Sequence, residues 1–485
     1  MSSFLRGLTW ALTALAVLLN VFIYFYPHFN EASQCQWYTN DESSQSKKSV
    51  LSSIAEEITA KVSSKSESPE FRKSVFDASG KIQDIRMLTF GDPQINGNWP
   101  STKYIKRLDN YGNDYYLGHI YSIMKSRMQP THVAVMGDLF SSQWIYDSEF
   151  YNRTYRYVTR LFPRPESYKQ TVLDTYKKHE NYDWQAWMGQ EEAMDPVHRF
   201  ESRVYNDVYD WTLQNVSYPL PSGPDVREPL FINLTGNHDI GYSGDATWQH
   251  MARFHLLFGQ NNYVINYNKG TPYEWRLVVL DSLTLEGPAL QEEFVDYTWS
   301  FLENLKEREN PSFKGSTVLL THIPFYKPEG FCTDGPQHIY YENNEREPYK
   351  NGKLRSQNHL ARDVSQKVID IVFPNADKEG IVLNGHDHEG CDNYYQKSTE
   401  SGLWEATKEI SKDVTTKPIR EIVVRSMMGD FNGNTGIMTG VFNETEKTWE
   451  FHFALCPFVV QHWWWVTKII TGLTVILQSY CYLKR

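Results

Sequence analysis

Pro229-Leu230-Phe231-Ile232-Asn233-Leu234-Thr235-Gly236-Asn237-His238-Asp239 is an apolar run that stops on a glycine and then presents an amide, an imidazole and a carboxylate. A short apolar run bounded by Gly or Pro reads as a buried strand. Four other stretches repeat the pattern. Arg86-Met87-Leu88-Thr89-Phe90 leads into Gly91-Asp92-Pro93-Gln94, and Thr131-His132-Val133-Ala134-Val135-Met136 leads into Gly137-Asp138. Ser316-Thr317-Val318-Leu319-Leu320 precedes Thr321-His322, and Gly380-Ile381-Val382-Leu383-Asn384 precedes Gly385-His386-Asp387-His388. In an α/β sheet the carboxyl ends of strands converge on one crevice. The sequence therefore predicts five ligand-bearing turns at the strand ends of one sheet.

The rest of the pattern supports this class. A helix over 114–127 makes a βαβ crossover between the first two strands. Helical spacing also marks 245–258, 291–307 and 360–371. Further strands are expected at 263–267, 276–281, 421–426 and 436–442, with an edge strand at 449–453. The stretch 139–228 is rich in Trp, Tyr, Arg and Asp. It reads as an insertion with helices near 153–161 and 197–211, either a helical surface addition or a lid over the strand ends. Trp184, Trp187 and Trp211 in it could stack on sugars or simply pack a core.

Asp, Asp, Asn-His, His and His-x-His, each beside a tight turn, can cage two divalent metals. Asp138 is the candidate bridge, because a carboxylate offers an oxygen to each ion. Asp92 and His388 complete one site, and Asn237, His322 and His386 the other. Mixed nitrogen and oxygen ligation suits Mn²⁺, Fe²⁺ or Zn²⁺ better than Ca²⁺. Such a pair is suited to in-line hydrolysis of a phosphate ester. His238 is free of the cage and can protonate a leaving oxygen, with Asp239 holding its ring.

The 485 residues carry a formal charge of −11, which excludes a general nucleic-acid surface. Two apolar segments flank the chain. Residues 8–26 are uncharged and long enough to cross a bilayer, reading as a retained anchor with a cleaved signal peptide as the alternative. Residues 463–483 begin with Trp463-Trp464-Trp465, which suits a membrane interface. Arg6 before the first span and Lys484-Arg485 after the second place both termini (1–7 and 484–485) in the cytosol. Everything between is then luminal: a Ser-, Lys- and Glu-rich stalk over 27–81, partly helical around 50–62, and a folded domain over 82–456. Sequons at Asn152, Asn215, Asn233 and Asn443 fit a lumen, although Asn233 lies in an apolar run and should be buried and unmodified. Five cysteines include no Cys-x-x-Cys; a Cys332–Cys391 disulfide and two free thiols remain open alternatives.

The five segments in this order resemble the calcineurin-like metallophosphoesterases over residues 82–452. The resemblance implies a four-layer αββα sandwich. It carries metal ligation to Asp92, Asp138, Asn237, His322, His386 and His388, and the catalytic histidine to His238. Gln94 stands where that family has a histidine ligand, so it enters as a further candidate ligand. Asp92-Pro93-Gln94-Ile95, Gly236-Asn237-His238-Asp239-Ile240-Gly241-Tyr242, Arg253-Phe254 with Phe258-Gly259, His322-Ile323-Pro324-Phe325-Tyr326 and Cys391 resemble a narrower fungal branch. These are membrane-anchored enzymes of the endoplasmic reticulum that remodel GPI anchors. That resemblance implies a manganese-dependent phosphodiesterase removing ethanolamine phosphate from a mannose of the GPI glycan. Its partners would be the GPI-anchored glycolipid, the reticulum membrane and the machinery of cargo export. A phosphoesterase with another substrate and a non-catalytic receptor for GPI-anchored cargo are the alternatives.

Overall fold

The computed structural model describes residues 3–29, 34–39, 52, 54–55, 59, 82–98, 101–179, 203–208, 229–411 and 416–484. Fifteen strands fall in this part: β1 (Ile85–Phe90), β2 (His132–Val135), β3 (Arg203–Asn206), β4 (Leu230–Asn233), β5 (Tyr263–Tyr267), β6 (Trp275–Val279), β7 (Ser316–Leu320), β8 (His338–Tyr340), β9 (Leu354–Gln357), β10 (Gly380–Asn384), β11 (Cys391–Lys397), β12 (Trp404–Thr407), β13 (Ile419–Val423), β14 (Asn434–Asn443) and β15 (Thr448–Pro457). The helices used below are α1 (Ser3–Tyr24), α2 (Tyr104–Met128), α3 (Asp147–Arg156), α4 (Trp248–Phe258), α5 (Glu292–Asn304), α6 (Arg362–Val372) and α7 (Gln461–Leu483), and a further helix covers Glu166–His179.

Two mixed sheets carry the domain. One has the order β15-β14-β1-β2-β4, the other β12-β11-β13-β10-β7-β6-β5-β3. Strands β1, β2 and β4 run parallel, as do β6, β7, β10 and β13. Every residue of β2, β4, β5, β6, β7 and β10 is buried. That explains why these strands are mostly apolar without a regular polar alternation, because a strand covered on both faces has no polar side to alternate with. Met87, Ala134 and Ile232 of the first sheet share a core with Leu277, Val318 and Ile381 of the second. The next side chains along each strand point the other way. Leu88, Val133 and Phe231 meet Leu117, Ile120 and Tyr121 of α2, while Val278, Leu319 and Val382 join a cluster with Phe301 of α5 and Val368 of α6.

The expected elements are present with shifted ends. Strands β5, β7 and β10 match their expected bounds, whereas the first crossover helix starts ten residues earlier than 114. Two expectations need correction. The five turns do not belong to one sheet: β1, β2 and β4 supply three and β7 and β10 the other two. Residues 203–206, expected to be helical, form a strand paired with β5. Arg203 to Asn206 alternate between half-buried and exposed, as an edge strand does. Of the expected helix near 50–62, residues 52, 54, 55 and 59 are described and helical, while most of the stalk, Trp184, Trp187, Trp211 and Asn215 lie outside the described residues. Asn233 is buried, with its Oδ1 accepting from the Tyr157 hydroxyl at 2.5 Å.

Among the described residues, helices α1 and α7 are the two long and apolar enough to cross a membrane. They pack against each other through polar contacts: Asn20 Nδ2 donates to Thr471 Oγ1 at 2.9 Å, and Gln478 Nε2 to Thr13 Oγ1 at 2.9 Å. Such hydrogen bonds hold apolar helices together where water cannot compete. Cys35, beyond α1, is bonded to Cys456, ahead of α7. Cys332 is bonded to Cys391, and Cys481 is free and buried.

Candidate metal centre

The turn after each strand is bent backbone. Asp92, Gln94, Asp138 and His386 all have positive φ, at 33°, 41°, 48° and 76°. Non-glycine residues adopt this region at a cost of about 1 kcal/mol or more each, and persist in it where surrounding structure holds them. The neighbouring glycines make room. A Cβ on Gly385 would lie 2.5 Å from Asp92 Oδ1, and one on Gly236 would overlap the backbone of Asp138. Any larger residue at either place would push a carboxylate out of the crevice.

Asp92 and Asp138 are buried. Asp92 Oδ2 accepts from the His386 backbone N–H at 2.8 Å and lies 3.4 Å from His388 Nε2. Its Oδ1 is buried with no hydrogen-bond partner. Ligand atoms of Asp92, Asp138 and His388 lie within 4.8 Å of one another. Asp138 turns Oδ1 toward His322 Nε2 at 3.5 Å and Oδ2 toward the Gln94 amide at 3.0 Å.

On the other side, His322 faces the Met136 carbonyl through Nδ1 at 2.7 Å and Asn237 Oδ1 through Nε2 at 3.1 Å. His386 faces the Gln357 carbonyl through Nε2 at 3.0 Å and the same Asn237 oxygen through Nδ1 at 3.0 Å. Burial lowers the pKa of both rings, to about 3 for His386 with help from nearby His322, so each is neutral. A neutral imidazole has one proton, yet each ring faces two acceptors. Whichever nitrogen keeps the proton, one lone pair points at another. A cation beside Asn237 Oδ1 relieves both rings at once, leaving their N–H groups for the backbone carbonyls. With the orphaned Asp92 oxygen, this arrangement fits a pair of divalent metals.

The two carboxylates respond in opposite directions. Burial and the neighbouring Asp138 charge push Asp92 well above the usual carboxylate range. Burial also acts to raise Asp138, but His322 and His238 outweigh it and hold Asp138 below its ordinary value. Burial lowers His388 as well.

Gln94 reaches the centre as a donor. Its Nε2 bonds Asp138 Oδ2 and lies 3.2 Å from His388 Nε2, so an amide nitrogen, not the carbonyl oxygen, faces the carboxylate. His238 sits at the mouth: its side chain is 39% exposed, with Nε2 3.8 Å from Asp138 Oδ2. Its backbone N–H donates to Asp138 Oδ1 at 2.8 Å. Asp239 does not hold the His238 ring as expected. It is buried, and its oxygens accept from the backbone N–H groups of Gly236, Leu139 and Phe140 at 2.9, 3.1 and 3.1 Å. Asn237–Ile240 form a single helical turn preceded by Gly236, and the carboxylate at its third position closes back on the Gly236 amide.

Sequence reasoning missed the Met136 and Gln357 carbonyls, which orient the two histidines, because backbone groups have no residue-type signature. It also missed Phe431, whose ring lies 5.0 Å from that of His388.

No protein-family model matches the chain. Protein TED1 of Saccharomyces cerevisiae is 49% identical over 474 residues, covering 96% of each chain. Cell division control protein 1 of the same yeast is 26% identical over 34% of this chain and 30% of its own. Metallophosphoesterase 1 of Xenopus laevis is 25% identical over 34% of this chain and 43% of its own. With near full-length similarity to Protein TED1, shorter matches to Cell division control protein 1 and Metallophosphoesterase 1, and a site that fits two metals, the chain belongs to the calcineurin-like metallophosphoesterases, on the fungal branch that includes Protein TED1.

Proposed function

We propose that this chain is a phosphodiesterase that removes an ethanolamine-phosphate side branch from a mannose of the GPI glycan, in the lumen of the endoplasmic reticulum. The four-layer αββα sandwich, a luminal domain over 82–456 with 139–228 as its insertion, and cytosolic termini belong to this reading. Manganese is the proposed metal. GPI-anchored proteins are the proposed cargo, handed on to export machinery after trimming.

The observation that carries a membrane-borne substrate is the position of the centre's rim. Phe431, against His388, ends a single turn that begins at Gly429. A Cβ on Gly429 would overlap Gln461, the first residue of α7. One short turn therefore separates a candidate ligand from the start of an apolar helix, where a lipid-linked glycan lies.

When bound, a divalent metal pair supplies Lewis acidity and a nucleophile at neutral pH. Asp92, Asp138, Asn237, His322, His386 and His388 would hold it. Asp138, with one oxygen toward Gln94 and the other toward His322, would hold the pair from both sides. His238 stands at the open edge, able to pass a proton to the departing oxygen. Asp239 fixes the turn that aims His238 and Asn237 in different directions.

The test is the purified full chain with Mn²⁺, assayed on GPI bearing the side branch beside simple phosphodiesters, with mass spectrometry of GPI glycans from cells lacking the protein. Retained activity on simple esters with no trimming of GPI would sink the substrate assignment and leave the phosphoesterase.

A further inference from the structure

The start of α2, residues 104–109, stands clear of the body. Tyr104 and Ile105 are 79% and 80% exposed, and Leu108, Tyr111 and Tyr115 are exposed as well. Spacings of four, three and four residues set Tyr104, Leu108, Tyr111 and Tyr115 on one side of the helix. The preceding Lys103 makes no side-chain cap, and the first turn has no acidic residue. A helix start without cap, favourable charge or burial gains little stability from its own chain. Exposed apolar clusters of this kind mark an interaction surface.

The same side of α2 receives both apolar terminal helices. Gly112 is packed so tightly by Trp465 of α7 that a Cβ there would overlap the indole. Ile105 and Leu108 lie seven and four residues before it, on the same face. One turn further, the Tyr116 hydroxyl donates to the Val459 carbonyl at 2.8 Å, just ahead of α7. His119 Nε2 lies 3.1 Å from the Ile23 carbonyl, and its ring lies 4.8 Å from Tyr24, at the end of α1. The exposed aromatic stripe therefore continues from the place where α1 and α7 meet the domain. Lys103 precedes it and Arg107 borders it, while Lys106, on the opposite side of the helix, lies 2.9 Å from Asp109.

We infer that residues 104–115 of α2 lie in the bilayer interface beside α1 and α7, with Tyr104, Ile105, Leu108 and Tyr111 inserted at headgroup depth and Lys103 and Arg107 on lipid phosphate. Tyrosine suits that depth, with its ring in the apolar layer and its hydroxyl in water. An in-plane helix with an apolar face and basic flanks binds by these two terms together. The inference rests on α1 and α7 spanning the membrane. It also deepens the functional reading. Asn110 Nδ2 donates to Gly97 O and Asn98 Oδ1 at 2.9 Å each, on the segment that follows Gln94. The depth of α2 would thus set the height of the metal centre above the lipid.

The test uses the full chain in vesicles of phosphatidylcholine and phosphatidylserine, on a Cys481→Ser background. An environment-sensitive label is placed at Ile105→Cys or, as a control far from α2, at Glu444→Cys, and headgroup-region nitroxide lipid is titrated in. The Ile105 label should be quenched at least about twofold more than the control, with a blue-shifted emission. Equal quenching in a chain that resists alkaline carbonate would overturn this inference alone. Release by carbonate would overturn the spanning reading and the inference with it.

Discussion

Gln94 Nε2 donates to Asp138 Oδ2 across 3.0 Å. The side chain that stands in a ligand position thus presents hydrogens to the carboxylate placed to join the two metal positions, and it lies 3.2 Å from His388. Gln94→His would replace this donor with a ring nitrogen able to ligate. We expect metal affinity at the Asp92–His388 side to rise about 10-fold or more, the size typical of changing a group around a metal. Titration with Mn²⁺ followed by calorimetry reads it. Unchanged affinity would show that Gln94 already supplies an equivalent contact.

Asp138→Ala and His386→Ala should each abolish turnover while the protein stays folded, because Asp138 faces both sides of the centre and His386 supplies a ring nitrogen beside Asn237 on one of them. His238→Ala should slow turnover by about 10²–10⁴-fold, the usual worth of one acid or base, and leave metal content intact. Elemental analysis alongside kcat separates these roles. Loss of metal from His238→Ala would reassign that residue to the cage.

Asp239→Ala strands three buried backbone N–H groups. Each unsatisfied donor costs about 1–3 kcal/mol, so the loss should appear as a large drop in Tm. Asp239→Asn, which keeps one acceptor oxygen, should recover part of it. A variant with native Tm and lost proton transfer would instead restore the expected role beside His238.

His250 is buried, with Nδ1 3.1 Å from the Ile240 carbonyl, and burial with nearby Arg253 lowers its pKa from 6.5 to about 3. Unfolding lets the ring take up a proton below pH 6.5 while the folded state refuses it. The stabilisation is therefore complete above pH 6.5 and falls by up to about 1.4 kcal/mol per unit as pH drops toward 3. His250→Leu should flatten that part of the stability–pH curve, read by denaturant melts at several pH values. An unchanged slope would place the acid sensitivity elsewhere.

Much of the architecture was legible because its signals are local. Buried strands such as β7 and β10 announce themselves as apolar runs closed by a ligand-bearing turn, and α1 and α7 by long apolar runs with a single Arg or Lys in each. The helix over 104–128 was read too short, since its first six residues are exposed and so lack apolar periodicity of the buried kind. The strand at 203–206 was misread as helix because its partner, β5, is about sixty residues away in sequence. Which cysteines pair was equally hidden: Cys35 and Cys456 are 421 residues apart, and spacing does not encode pairing over such a loop.

By itself the sequence determined which residue types stand after which strands, and hence the candidate ligands Asp92, Asp138, Asn237, His322, His386 and His388. Only the tertiary structure decided that two sheets supply them, that Gln94 donates, that Asp239 serves the backbone and that Met136 and Gln357 orient the histidines. The division has one physical reason. A turn that follows a buried strand is written in adjacent residues, whereas the direction of a lone pair depends on backbone carbonyls and partners that the chain brings together only when it folds.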